Sequence, residues 1–478
     1  MSGMRNALKA LGAVLAVVAL CAPLMFLPVE DTQPAAFGHA GVTVTVPPMV
    51  VVATTIPGLE TTTTTTEPPA SPPATQPIPT STTTTTAPPS DIVVAAVGEV
   101  LSPQQLLDST YDPATDTYDF DPVFAPVKPY LAGADYAVAS LQPELAGPEV
   151  GYASDIKPNA PWSLAFALKD AGIDLVGTAN PHSLDLGWDG LVGTLDRLDL
   201  AGLAHVGTAR TSAERHSPVI ADIKGIRVAF LDYTSSVLSS LPTGQERAYA
   251  VNVVDVDTVK ADAMTARSWG ADAVVALVDY GDGTGQLDPT AEQVTLADSL
   301  LDYGGVDVIL GSRTHAVQTI GHRVTFASSA AWRADDKYVA YSLGDFLAAP
   351  QTSDTGGVAG ADTGIIAYVH FEKRGLRTFV TGVSYVPLYT QQSTRTSTPG
   401  DTSSTEATTT TVTTGKTPAG DQTIFRVLPV LPGLDPATDT ALTPDDRLRM
   451  AQIWEYAWSR LNRPDEQISP LSPGDLGL

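Results

Sequence analysis

Cysteine is nearly absent from this chain: Cys21 is the only one in 478 residues. It lies in an apolar N-terminal stretch, so the rest of the chain has no disulfide and no cysteine-ligated metal. Core packing must stabilise whatever folds. Leu20 precedes it, a larger residue than the Gly, Ala or Ser of a lipoprotein signal. Basic residues are also scarce. There are 27 Lys+Arg against 53 Asp+Glu, for a formal net charge of −26. Such a field repels a phosphate backbone and argues against nucleic acid as a partner. Two catalytic signatures are missing as well. The glycines of YGDGTG (280–285) precede no P-loop lysine, and no Gly-x-Ser-x-Gly elbow occurs.

Proline and threonine, by contrast, are abundant and clustered. Residues 31–90 are a Thr/Pro-rich tract with too little apolar surface to offset its ordering entropy, and they read as a disordered stalk. Clustered Thr beside Pro suggests O-glycosylation. A second Thr/Ser-rich tract, 391–420, interrupts strand-like sequence and reads as a surface insertion. Before the stalk, residues 11–29 form an uncharged apolar run preceded by Arg5 and Lys9. The pattern over 1–30 is that of a signal anchor, with the cytoplasm on the Arg5 side and a single-pass chain whose folded part is extracellular. The alternative is a signal peptide, cleaved late near GHA (38–40) to release a secreted protein.

Between 91 and 390 the chain alternates. Near-continuous apolar runs at 91–98, 135–141, 173–179, 226–233, 272–278, 306–311, 338–343 and 365–371 suit strands buried on both faces. Helical spacing separates several of them. Leu191, Leu195 and Leu198 recur before Gly202, a natural stop, and Thr290 with Gln293 has capping-box spacing. Strand–helix alternation predicts a layered α/β domain. Residues 421–478 add a returning strand and a terminal helix packed on that domain, with Leu448, Ile453, Trp454 and Ala457 as its apolar stripe.

In such a fold, ligand-facing residues sit just past strand ends. Those positions hold Glu99, Gln142, Asn180 and His182, Asp279, Arg313 and His315, and Asp345. The run ALKDAGIDLVGTANPHSLDLGWDGLVGTLDRLDLAGLAHVGTAR, with LGSRTHAVQ and YSLGDF, resembles the capsule-synthesis CapA family, also described as poly-gamma-glutamate synthesis proteins. That family is similar to calcineurin-like metallophosphoesterases. The resemblance implies a four-layer α/β/β/α sandwich and, in intact members, a dinuclear metal site. It also implies work on an anionic capsule or cell-surface polymer, with that polymer or the capsule machinery as partner.

The matched blocks depart from the family pattern where metal ligands are expected. Gly-Asp becomes Gly98-Glu99, and Asn-Leu-Glu becomes Ser140-Leu141-Gln142. Asn-Asn-His becomes Asn180-Pro181-His182, and His-Trp-Gly becomes Asp279-Tyr280-Gly281. Gly-x-His-Pro-His becomes Gly311-Ser312-Arg313-Thr314-His315, and a late Asn becomes Asp345. Pro181 has no side-chain donor atom, and Arg313 puts a fixed cation where a dication would sit. The expectation is a degenerate site: at most one divalent ion, manganese or similar, weakly held by Glu99, Asp279 and His315. His182 and His315 are the catalytic candidates, the resemblance implying that His182 is an acid or leaving-group stabiliser; a turn-capping role for His182 stays open. Arg313, Asn180 and Gln142 are the substrate-binding candidates. Arg313 is open to a second role, a salt bridge to Glu99 or Asp279. Asp345 reads as a structural cap. Two functional alternatives stand beside polymer handling: an active metal-dependent hydrolase with variant ligands, and a non-catalytic wall-spanning protein.

Overall fold

The structure is a computed structural model that describes residues 90–154, 157–241, 247–283, 285–326, 334–348, 363–396, 421–432, 439 and 441–472. The apolar run 11–29, the stalk up to residue 89 and residues 397–420 of the second Thr/Ser tract lie outside the described residues. Among the described residues no helix is long and apolar enough to cross a membrane.

Two large sheets carry the fold. The first runs Asp421–Pro429, Arg377–Thr396, Thr363–Arg374, Ser90–Val100, Tyr136–Leu141, Leu175–Gly177, Ala204–Val206. Its last four strands are parallel, and those before Ser90–Val100 are antiparallel. The second runs Ile320–Phe326, Ala334–Ala340, Val308–Ser312, Ala273–Asp279, Ile226–Thr234, Val219–Ile223, with a parallel centre and antiparallel edges.

All eight strand runs read from the sequence appear, and side-chain alternation explains their unbroken apolarity. In the first strand, Ile92, Val94 and Ala96 face the second sheet, while Ala95 and Val97 face a layer of helices. In the second sheet, Val275 and Leu277 point inward and Val274, Ala276 and Val278 point to the other helices. Mixed α/β order therefore follows from strands with two apolar faces. The outer cover of the first sheet includes helix Gly187–Ala201, whose Leu191, Leu195 and Leu198 are buried and whose end is Gly202 in the left-handed region. Helix Ala291–Asp302 covers the second sheet and starts with the Thr290–Gln293 capping box. The terminal helix Pro444–Leu461 buries Ile453, Ala457 and Leu461, whereas Leu448 is 60% exposed. The expected stripe is thus wrong at Leu448. Five residues before Ile453 is about 140° off the buried face.

Three close approaches position the strand ends. Gly98 packs so tightly against Gly344 that a Cβ there would lie 1.8 Å from the Gly344 carbonyl oxygen. That contact lets Glu99 N–H donate to the same oxygen at 3.1 Å and sets Glu99 in register with Asp345. Asp232 reaches from the second sheet into the first, where Gly177 and Gly207 leave room for its carboxylate and Ala179 N–H donates to it at 2.7 Å. Glu144 fixes the start of helix Gly187–Ala201: its Oε1 accepts from Leu186 N–H at 2.7 Å, and its Oε2 is buried against Gly190 without a partner.

These contacts set the stability of the site edge. Gly98→Ala forces backbone apart there and is expected to cost about 3 kcal/mol, read as a lowered denaturation midpoint. Burial pushes the Glu144 carboxyl from 4.5 up to about 8. The folded chain therefore holds this proton more tightly than the unfolded chain, and stability is lost as pH rises through that window. Glu144→Gln is expected to raise the melting temperature by several degrees near pH 9 and to leave it unchanged near pH 4. An equal shift at both would remove Glu144 as the source.

Candidate functional site

The carboxyl ends of the parallel strands deliver polar groups to one edge of the sandwich. Glu99 ends its strand almost fully buried, with the Gln142 amide nitrogen donating to its Oε1 at 2.5 Å. The same nitrogen lies 3.3 Å from Asp279 Oδ2. Gln142 thus stands between two carboxylates, and its two amide N–H bonds let it donate to both. Thr234 Oγ1 donates to the other Asp279 oxygen at 3.0 Å.

Arg313 and His315 come from one turn after Val308–Ser312. Both are non-glycine residues in the left-handed region, with φ 87° and 55°. Such a backbone costs about 1 kcal/mol or more at each residue, and here it aims two cationic side chains at buried acids. Arg313 Nη1 donates to Ser236 Oγ at 2.8 Å and to Ser235 Oγ at 3.2 Å, and lies 3.4 Å from Asp279 Oδ1. Of the two salt-bridge partners considered for Arg313, Asp279 is the one it meets. His315 Nδ1 is 2.9 Å from Glu99 Oε2 and 3.0 Å from Asp345 Oδ1. One N–H cannot point at both. The hydrogen-bond geometry is satisfied toward Asp345, so Glu99 Oε2 keeps an ionic contact but no hydrogen bond.

Charge and burial act against each other at this edge. Burial raises the Glu99 carboxyl, and the His315 charge pulls it partly back. Burial, then the charge of Glu99, pushes Asp279 up to about 7, with Arg313 opposing. Burial also holds Asp232 well above the carboxylate range. For His315, burial alone would lower the imidazole, but the Glu99 charge and the hydrogen bond to Asp345 push it up to about 11.

Glu99, His315 and Asp345 each offer a ligand atom, all within 4.8 Å of one another. Two carboxylates, one imidazole and a buried Oε2 lacking a hydrogen bond fit a single divalent cation. Asp279, one of the three ligands expected from the sequence, is engaged by Arg313, Thr234 and Gln142 instead. Asp345, read as a cap, joins the group.

Asn180 and His182 form a neighbouring cluster. The Asn180 amide donates to the Leu141 and Thr178 carbonyls, and its Oδ1 accepts from His182 N–H at 2.7 Å. Its polar capacity thus shapes the loop. His182 Nδ1 lies 2.6 Å from Asp185 Oδ2, and Ser239 Oγ donates to the other Asp185 oxygen at 2.5 Å. Asp185 and Ser239 escaped the sequence reading. The i,i+3 spacing of His182 and Asp185 in a tight turn was a usable signal for the first. Nothing local marks Ser239.

Residues 93–350 match the family described as bacterial capsule synthesis protein PGA_cap. The chain is 25% identical over 294 residues to the capsule biosynthesis protein CapA of Bacillus anthracis, covering 59% of this chain and 65% of that relative, short of two thirds of its length. Among solved structures it is similar to the calcineurin-like phosphoesterase YfkN from Bacillus subtilis, at 14% identity over 63% of this chain and 91% of that one, TM-score 0.35. It is also similar to a 5'-nucleotidase precursor from Thermus thermophilus, at 11% identity over 77% of this chain and 59% of that one, TM-score 0.36. TM-scores this low carry no argument. The family match takes in more than half of the sequence and the strand-end residues from Glu99 to Asp345, and on that ground the chain belongs to the bacterial capsule synthesis protein PGA_cap family.

Proposed function

We propose that this protein handles an anionic capsule or cell-surface polymer outside the cell, anchored to the membrane by its apolar segment 11–29, and that its site binds the polymer through one divalent cation and one built-in guanidinium. The observation that carries this reading is the division of the site by Gln142. On one side, Glu99, Asp345 and His315 offer three ligand atoms for an ion such as manganese. On the other, Asp279 already faces the Arg313 cation. A second dication beside Arg313 would meet like charge. When bound, the single ion would supply Lewis-acid stabilisation of an anionic oxygen.

The chain's own residues then do the rest. Ser235 and Ser236 hold Arg313 by Nη1, and its other guanidinium N–H groups make no hydrogen bond among the described residues, so they are available to a carboxylate or phosphate. Gln142 stands between Glu99 and Asp279 and donates to one oxygen of each. A second reading, hydrolysis of an ester group, is favoured by one observation. His182 is bonded through Nδ1 to the buried Asp185, which orients the ring so that Nε2 can take or give a proton.

Titrated with manganese by equilibrium dialysis, the full-length chain is expected to take up one ion. Two bound ions per chain would overturn the one-ion reading. Glu99→Gln is expected to weaken manganese binding by roughly tenfold or more. Arg313→Met is expected to leave the ion count at one and to weaken binding of a polyanion such as poly-gamma-glutamate by about tenfold; an unchanged affinity would remove Arg313 from the binding role. Hydrolysis of a chromogenic phosphoester that survives His182→Gln at full rate would sink the second reading.

A further inference from the structure

We infer that Ser239 is a positioning residue for His182: its hydroxyl holds the Asp185 carboxylate in the orientation that fixes the imidazole with Nε2 outward. This rests on reading His182 as the proton-transfer group of the site.

The Asp185 side chain is only 2% exposed, so both of its oxygens need donors. His182 Nδ1 supplies one at 2.6 Å and Ser239 Oγ the other at 2.5 Å. The terminal torsion of aspartate is soft, and one hydrogen bond does not set its plane. Two bonds from opposite sides do. An ionised carboxylate only accepts, so the Ser239 proton and the His182 Nδ1 proton both point at Asp185. The neutral ring is then the Nδ1–H tautomer, with a bare, outward Nε2. The His182 main chain is set independently, by its N–H donating to Asn180 Oδ1.

Ser239 is delivered by a tethered segment. Leu238 N–H donates to the Pro181 carbonyl at 2.8 Å, next door to His182. The same segment begins at Thr234, which holds Asp279, and passes through Ser236, which holds Arg313. Its two ends thus serve the two halves of the site. Pro181, which has no side-chain ligand atom, provides the carbonyl that fastens the segment.

The test is nitrogen NMR of the full chain labelled in histidine, with the His182 signals assigned by their loss in His182→Gln. Wild type is expected to show the Nδ1–H tautomer when neutral. Ser239→Ala is expected to lose it and move toward the Nε2–H form that free imidazole prefers, while Ser239→Thr retains it. If Ser239→Ala fails to fold, Ser239→Cys, a weak donor of similar size, gives the same readout. Asp185→Asn separates the failures. If Asp185→Asn leaves the His182 tautomer unchanged, the Asp185–His182 reading itself is overturned. If Asp185→Asn shifts the tautomer and both Ser239→Ala and Ser239→Cys leave it as in wild type, only the role of Ser239 is overturned.

Discussion

The site depends on withdrawing carboxylates from water. Glu99, Asp232, Asp279 and Asp345 are all buried at one edge of the sandwich. An isolated carboxylate in such a place is costly enough that it takes up a proton or finds a cation. Each answer is used here. Asp232 is driven well above the carboxylate range and takes backbone N–H groups, while Glu99 and Asp345 share His315 and Asp279 faces Arg313. The left-handed backbone at Arg313 and His315 follows from this need. One short turn must send two cationic side chains to two different acids, and the ion pairs offset the backbone strain.

Gln142 matters because it is neutral. Its amide nitrogen lies between Glu99 and Asp279, where a carboxylate would add a third negative charge and remove a donor from each neighbour. With Gln142 in place, two acid–cation units stand side by side. The site therefore has its own counter-charge. A dication bound at Glu99, Asp345 and His315 must replace positive charge that is already present, which argues for weak binding.

Much of this was legible in the sequence, for physical reasons. Strands buried on both faces announce themselves as unbroken apolar runs, and their ends are where site residues collect, so Glu99, Gln142, Asp279, Arg313 and His315 could be named from order alone. The edge strand Ile320–Phe326 was not legible. Its His322, Arg323 and Thr325 dilute the apolar signal, as an edge with one solvated face allows. Asp345 was misread because its partner His315 is thirty positions away and no local pattern links them. Ser239 was invisible for the same reason: its bond to Asp185 spans 54 positions of chain. Sequence spacing reveals groups that share a strand end or a helical turn. It does not reveal which side chain satisfies the second oxygen of a buried acid.

Pro181 is the residue that joins these threads. Its ring removes a side-chain ligand and a backbone donor at the point where the strand Leu175–Gly177 gives way to the His182 turn. A proline keeps its carbonyl, and that carbonyl accepts from Leu238. The segment after Ile226–Thr234 is thereby pinned across from the second sheet to the first. Ser236 and Ser239 lie on either side of that pin, one on Arg313 and one on Asp185. The carbonyl therefore does more than fill a gap in a metal-ligand pattern: it fastens the one segment that reaches both the arginine and the carboxylate partner of the imidazole.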